Sequence, residues 1–293
     1  MQISKETKII DVINNPSFKE FGRFIFPLEE RFPNDKDTID NLISLLPFHN
    51  HINLNSTMES INYMTDKVGS GEKIFYDYYT QEEKFQEPSK NNTGLFFFRG
   101  EPNSSFAVIS AGGAFNYVGS IHEGFPYALE IIKKGYNAFV LQYRTGDEMT
   151  ATEDLAAAIS FIFRNAETFG IGKNSYSLWG SSAGARMAAH IGSYGTGAYG
   201  GDNLPKPCAV IMPYTGHSEI SEEETPAFAV VGEDDNIVSP SAMRDRIENL
   251  KACGVDTEFH LYPNLAHGFG LGIGTTAEGW VDLAIKFWEK QMK

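Results

Sequence analysis

A mostly parallel α/β sheet with helices on both faces is the fold class this sequence predicts. Three observations carry that expectation. From residue 73 onward, short apolar runs of strand length alternate with segments of helical periodicity. One of those runs passes through a tight turn of small residues, Gly180-Ser181-Ser182-Ala183-Gly184, directly into a helical segment. The chain has 293 residues, 42% hydrophobic and 13% aromatic, enough to bury such a sheet on both sides.

Residues 1–72 read as an N-terminal extension, distinct from an α/β domain over 73–293. The extension holds short apolar clusters, Phe18-Phe21-Phe24-Ile25-Phe26 among them, broken by Pro16, Pro27, Pro33 and Pro47. Ile39, Leu42, Ile43 and Leu46 have helical spacing after Asp37-Thr38, and Pro47 ends that segment. A cap over a site, a subunit contact and padding on the sheet are all open readings of this segment. His49 and His51 sit close together without a third ligand type beside them, so no metal site is expected there.

Eight strands are expected in the remainder. Lys73–Thr80 and Gly94–Arg99 read as an antiparallel edge pair joined by a polar connection through Pro88. Phe106–Ser110 is a buried strand that runs into Ala111-Gly112-Gly113-Ala114-Phe115. A helix over Phe125–Lys134 stops at Gly135, and Asn137–Tyr143 is the next strand. Leu155, Ile159, Ile162 and Phe163 mark a helix that begins near Thr152 and Asp154. Tyr176–Trp179 leads into the Ser182 turn, and Ala183–Ile191 is helical. Cys208–Met212 and Ala227–Val231 are strands, and Ser239-Pro240 opens a helix that Gly254 closes. Thr257–Tyr262 is the last strand and Ala277–Met292 the last helix. Gly195-Thr196-Gly197-Ala198-Tyr199-Gly200 matches a dinucleotide-binding pattern, but it follows a helix rather than a strand, so it is read as a connection.

The formal net charge of -14 argues against nucleic acid, which needs clustered Lys and Arg, and disfavours anionic membrane surfaces. Two cysteines, Cys208 and Cys253, imply no disulfide framework and fit a reducing, cytoplasmic compartment. The start of the chain lacks a long apolar stretch, and no apolar run is long enough to span a bilayer.

The chemistry converges on Ser182. A serine hydroxyl needs a base to take its proton, and the base needs an acid to orient it. In an open α/β sheet these groups stand at the C-terminal ends of strands. After Ala227–Val231 comes Gly232-Glu233-Asp234-Asp235, three carboxylates in a row. After Thr257–Tyr262 comes a glycine-rich loop holding His267. An acid is wanted at this point and any of the three can supply it; an apolar pair, Ile237-Val238, can anchor the turn beneath Asp235. His260 lies within a strand, His217 precedes the acid, and His122 and His190 are read as structural. An oxyanion hole would take one N–H from Ala183 and another from Gly113 or Ala114 in the loop after Phe106–Ser110. Phe115, Asn116 and Tyr117 are placed at the substrate pocket by adjacency to that loop.

With these parts named, residues 73–293 resemble the α/β-hydrolase superfamily, and within it the carboxylesterase branch of acetyl-xylan and feruloyl esterase-like enzymes. The segments that carry the resemblance are Ala111–Phe115, Glu123-Gly124, Gly135-Tyr136, Val140–Arg144, Gly180–Gly184, Gly232–Asp235 and His267-Gly268-Phe269. The family's oxyanion loop usually reads His-Gly-Gly-Gly or Pro-Gly-Gly-Gly; here Ala111 and Ala114 replace its first and last members, and a positive φ at 114 would strain alanine. The resemblance implies a serine esterase with a Ser182–His267–Asp235 triad, no cofactor and no metal, acting on a small-molecule or carbohydrate ester such as an acetylated sugar. A peptidase or amidase built from the same parts, and a non-catalytic ligand-binding relative, are the alternatives. A homo-oligomer is compatible with the sequence.

Overall fold

The computed structural model describes residues 2–27 and 36–292; Met1, residues 28–35 with Pro33, and Lys293 lie outside them. Eight strands form one sheet: β1 Phe75–Tyr76, β2 Gly94–Phe98, β3 Phe106–Ser110, β4 Asn137–Gln142, β5 Ser177–Gly180, β6 Ala209–Pro213, β7 Ala227–Gly232 and β8 Thr257–Tyr262. Their order is β1-β2-β4-β3-β5-β6-β7-β8. β2 runs antiparallel to both of its neighbours, and every pairing from β4 to β8 is parallel. Strands β2 to β7 are buried at every position, which is why they read as continuous apolar runs rather than alternating ones. Edge strand β8 is only half-buried.

From β3 the chain crosses to β4 on one side and then returns to β5 on the other. The loops leaving β3 and β5 therefore part at a topological switch point, where an open parallel sheet presents its crevice. Both expected site loops, 111–115 and 180–184, leave from it.

The helices are α1 Ile9–Ile13, α2 Leu54–Gly69, α3 Gln81–Gln86, α4 Ser120–Glu123, α5 Phe125–Lys133, α6 Glu148–Arg164, α7 Ala166–Phe169, α8 Ala183–Tyr194, α9 Pro240–Ala252 and α10 Trp280–Gln291. α8 lies on β3, β5 and β6 and packs against α6, whereas α10 packs on β6, β7 and α5. Trp179 of β5 meets Trp280 of α10 with ring centroids 6.2 Å apart. Among the described residues no helix is long and apolar enough to cross a membrane. Cys208 is half-buried, Cys253 is exposed, and both are free thiols.

Four departures from the sequence expectation have local causes. The expected strand Lys73–Thr80 shrinks to two residues because Thr80 caps α3 instead. Its hydroxyl accepts the Glu83 N–H at 3.2 Å and Glu83 Oε2 accepts the Thr80 N–H at 2.8 Å. α6 starts at Glu148, not near Thr152, because Asp147 accepts the Thr150 N–H at 2.8 Å. Thr152 and Asp154 consequently lie inside the helix and are buried, and Asp154 holds Arg144 at 2.7 Å. α2 has no clear signal in the sequence. Its buried face includes Thr57 and Ser60, whose hydroxyls donate to carbonyls one turn back, so the apolar periodicity is broken by residues that are satisfied internally. α10 begins three residues later than expected, after Gly279 at φ +88°. The Gly195–Gly200 stretch forms one 3-10 turn, Thr196–Tyr199, after α8.

The N-terminal extension packs on the β1 edge of the sheet. Phe18, Phe21, Phe24, Ile25 and Phe26 are buried, and the Phe21 ring meets Phe75 at 5.5 Å and Phe96 at 5.4 Å.

Candidate active site

The turn between β5 and α8 is forced by its small residues. A Cβ on Gly180 would stand 2.1 Å from the Gly184 carbonyl oxygen, and one on Gly184 would stand 1.9 Å from that of Ser110. Strand and helix can pack this closely only with glycine at both positions. Ser182 between them has φ 51° and ψ -112°, a strained backbone for a residue with a Cβ. The Ser182 N–H is tied to the Pro213 carbonyl at 3.1 Å, which fixes the turn against the end of β6. Ser181 points elsewhere: its hydroxyl is buried, 3.2 Å from the Tyr127 hydroxyl.

His267 Nε2 lies 3.0 Å from Ser182 Oγ, and His267 Nδ1 lies 2.7 Å from Asp235 Oδ2. A carboxylate only accepts, so Nδ1 carries the proton and Nε2 presents its lone pair to the serine. Of the three consecutive acids, Glu233 and Asp234 are exposed while Asp235 is buried. Asp235 Oδ1 accepts the N–H groups of Ile237 and Val238, each at 2.9 Å. The acid is thus held by backbone donors, and of the expected apolar pair Ile237 is exposed while Val238 packs, half-buried, against the core. His260 bonds Glu258 at 2.6 Å within β8, away from this arrangement.

The loop after β3 supplies unpaired backbone donors. No group among the described residues accepts the N–H of Gly113, Ala114 or Ala183, whereas that of Gly112 is spent on Glu123 Oε2 at 2.7 Å. Ala114 and Phe115 have φ 54° and 58°, so alanine does sit in the left-handed region at the departure from the family pattern. Phe115 is half-buried and Asn116 exposed. Tyr117 corrects the adjacency argument. It is buried, and its hydroxyl bonds His49 Nδ1 at 2.8 Å and accepts the Phe48 N–H at 3.2 Å, so it faces the N-terminal extension rather than a pocket.

The extension braces both loops of the site. Asn50 donates from its side-chain amide to the His267 carbonyl at 2.9 Å and from its backbone to the Gly268 carbonyl at 2.9 Å. His122 Nε2 donates to the same Gly268 carbonyl at 3.0 Å. Gly268, at φ +71°, has no room for a Cβ, which would stand 2.6 Å from the Phe48 carbonyl oxygen. Behind the loop that leaves β3 lies Glu123, fully buried. It takes the Gly112 N–H, the Tyr214 hydroxyl at 2.7 Å and His49 Nε2 at 3.2 Å. Burial works to raise the Glu123 pKa, but His49, His122 and the Tyr214 hydroxyl outweigh it and hold the carboxyl at about 2. His122 is pushed down to about 4, mainly by burial and then by the charge of His49. Glu123-Gly124 marks the resemblance without a role; Asn50, His49 and Tyr214 carry no sequence signal, because their partners lie far away in the chain.

Asn50→Ala should lower kcat by about 10- to 100-fold with little change in KM, because the His267 loop loses one of its ties and the base drifts from its line of transfer. Steady-state kinetics on an aryl acetate measures this; an unchanged kcat would show that the tie does not position the base.

Two family models match the chain: BD-FAE over residues 100–199 and the dienelactone hydrolase family over residues 172–274. A 76-residue segment is 34% identical to endo-1,4-beta-xylanase B of Butyrivibrio fibrisolvens. That segment is 24% of this chain and 12% of the xylanase, so the comparison concerns a small part of that protein. Among solved structures, an acetyl ester-xyloside bifunctional hydrolase from Caldicellulosiruptor lactoaceticus superposes with TM-score 0.65 at 19% identity, over 74% of this chain and 95% of that one. A thermophilic esterase from Thermogutta terrifontis superposes with TM-score 0.63 at 18% identity, over 74% and 91%. An α/β hydrolase from a Medee basin deep-sea metagenome gives 0.60 at 22%, over 68% and 93%. The chain has the α/β-hydrolase fold, and proteins described as esterases are among the solved structures that share it.

Proposed function

We propose that this chain, an α/β hydrolase by fold, is a serine esterase that cleaves a carboxylic ester through an acyl-enzyme, with acetylated carbohydrates as the substrate class. The observation that carries the reading is the continuous line Ser182 Oγ, His267 Nε2, His267 Nδ1, Asp235 Oδ2, with steps of 3.0 Å and 2.7 Å, on a strained turn beside unpaired backbone N–H groups. Ser182 Oγ attacks the ester carbonyl as its proton passes to His267 Nε2. The tetrahedral oxyanion is stabilised by the N–H of Ala183 and by that of Gly113 or Ala114; losing one such donor costs about 3–4 kcal/mol. Collapse expels the alcohol, which takes the proton back from His267. Water then attacks the acyl-enzyme with His267 again as base, and Asp235 keeps the imidazole in the productive tautomer throughout.

Support for the substrate class comes from the acetyl ester-xyloside hydrolase and the xylanase among the similar proteins. A panel of aryl esters of increasing acyl length, run beside acetylated oligosaccharides and an anilide, tests it. Acetyl esters should be turned over fastest, acetylated oligosaccharides should release acetate, and the anilide should be slow. Preferential cleavage of the anilide would favour an amidase instead.

A further inference from the structure

The Glu123 side chain is fully buried, and a buried carboxylate is costly unless donors surround it. Its donors come from three separate loops. Oε2 accepts the Gly112 N–H at 2.7 Å and faces His49 Nε2 at 3.2 Å, and Oε1 accepts the Tyr214 hydroxyl at 2.7 Å. The Tyr214 hydroxyl in turn accepts the N–H of Gly270, in the loop that holds His267, at 3.2 Å. It also lies 3.2 Å from the Tyr127 hydroxyl, which is 3.2 Å from Ser181 Oγ. One carboxylate therefore reaches the loop after β3, the His267 loop, the nucleophile turn and the N-terminal extension. Tyr214 takes part from φ 38°, a backbone conformation that persists only where the surroundings impose it.

Gly112 is where this network meets the nucleophile. A Cβ added there would stand 2.9 Å from Glu123 Oε2 and 3.0 Å from Ser182 Cβ. Both peptide groups of Gly112 are gripped. In the peptide before it, the Ala111 carbonyl accepts the Tyr143 hydroxyl at 2.7 Å while the N–H goes to Glu123. In the peptide after it, the Gly112 carbonyl accepts the Gly119 N–H at 2.8 Å. A trans peptide sets its N–H opposite its carbonyl, so that bond turns the Gly113 N–H away from Gly119. Gly119 and Glu123 share one helical turn, the Glu123 N–H donating to the Gly119 carbonyl at 3.0 Å. The short helix α4 thus holds Gly112 by its N–H and by its carbonyl at once.

Two roles for the carboxylate compete. As a charge it stands on the wrong side of the reaction, because an anion this close to Ser182 repels an oxyanion formed there. As an acceptor at glutamate reach it meets no such conflict, and its other donors disperse the charge it carries.

We propose that Glu123 is a positioning residue for the reaction at Ser182: its carboxylate, acting through Gly112, holds the loop that leaves β3 at the place where an oxyanion is stabilised. This role rests on the esterase reading.

The test separates reach from charge. Glu123→Gln keeps the reach and an acceptor oxygen without the charge, Glu123→Asp keeps the charge and withdraws it by one methylene, and Glu123→Met keeps the reach without an acceptor. Each is assayed on an aryl acetate, with kcat referred to sites titrated by a fluorophosphonate, and for inhibition by an aryl trifluoromethyl ketone. Ser182 Oγ bonds to the ketone carbon, the carbonyl electron pair moves to its oxygen, and the serine proton passes to His267 Nε2, so the complex carries the oxyanion without turnover. Glu123→Asp and Glu123→Met should each lower kcat about 100-fold and weaken the ketone by the same factor, with KM within about threefold; this is the scale of one lost oxyanion donor. Glu123→Gln should stay within about tenfold of the native protein in both. If one of the two impaired variants does not fold, the other still decides. Native kcat and ketone affinity in Glu123→Asp or Glu123→Met, even with a lowered thermal midpoint, would show a purely structural carboxylate and overturn the proposal. A Glu123→Gln protein as impaired as Glu123→Asp overturns it too, and so does a fall in kcat with the ketone affinity unchanged. If the native protein hydrolyses no aryl ester, the esterase reading falls, while the ketone affinities still decide whether Glu123 positions the loop.

Discussion

Ser182→Ala is expected to lower kcat by up to about 10⁶, the scale seen when a triad serine is lost. The Ser182 hydroxyl is 3.0 Å from the lone pair of His267 Nε2, and nothing else in the turn can take its place. Ser181, one residue earlier, is buried with its hydroxyl on Tyr127. Ser181→Ala should therefore keep most of the rate. Because the glycines at 180 and 184 set the turn, the Ser182 substitution leaves the fold in place, and thermal unfolding of the variant should stay close to that of the native protein. Native-like turnover by Ser182→Ala on an aryl acetate would remove the serine from the mechanism.

The second large effect separates three neighbouring acids. Asp235→Asn should reduce kcat by about 10⁴, whereas Glu233→Gln and Asp234→Asn should leave most of the rate. The amide oxygen introduced by Asp235→Asn can still accept the Ile237 and Val238 N–H groups, so the turn persists. The amide NH₂ would then face His267 Nδ1 and donate to it, which moves the imidazole proton to Nε2 and points an N–H at the serine. Glu233 and Asp234 are exposed, and the carboxylate hydrogen-bonded to His267 is that of Asp235. Equal activity of all three variants, measured by kcat on one ester, would contradict the assignment of the acid.

Most of the strands, and the positions of the three side chains that the structure brings together, are legible in the sequence because each rests on local pattern. Phe106–Ser110 and Thr257–Tyr262 are bounded to the residue by the turn signals around them. Ser182, Asp235 and His267 each follow a strand in an order that the fold dictates. What the sequence conceals is long-range. The amide of Asn50 reaches the His267 carbonyl across the whole domain, and His49 pairs with Glu123. No periodicity or spacing encodes such a contact. Tyr117 is misplaced by adjacency for a related reason: nearness to the oxyanion loop says nothing of which way a side chain turns, and here a buried hydroxyl finds two partners in the extension. α2 is hidden because Thr57 and Ser60 stand on its buried face. The strain at Ala114 is visible in the sequence only as a conditional, since φ depends on how the loop folds back over the sheet.

The central claim, a covalent role for Ser182, is tested most directly by reacting the protein with a fluorophosphonate probe and reading intact mass and the modified peptide. One adduct per chain on Ser182, absent from Ser182→Ala protein, is the result this account predicts. Modification of Ser181, labelling that persists in Ser182→Ala, or a native protein that takes up no probe would contradict it.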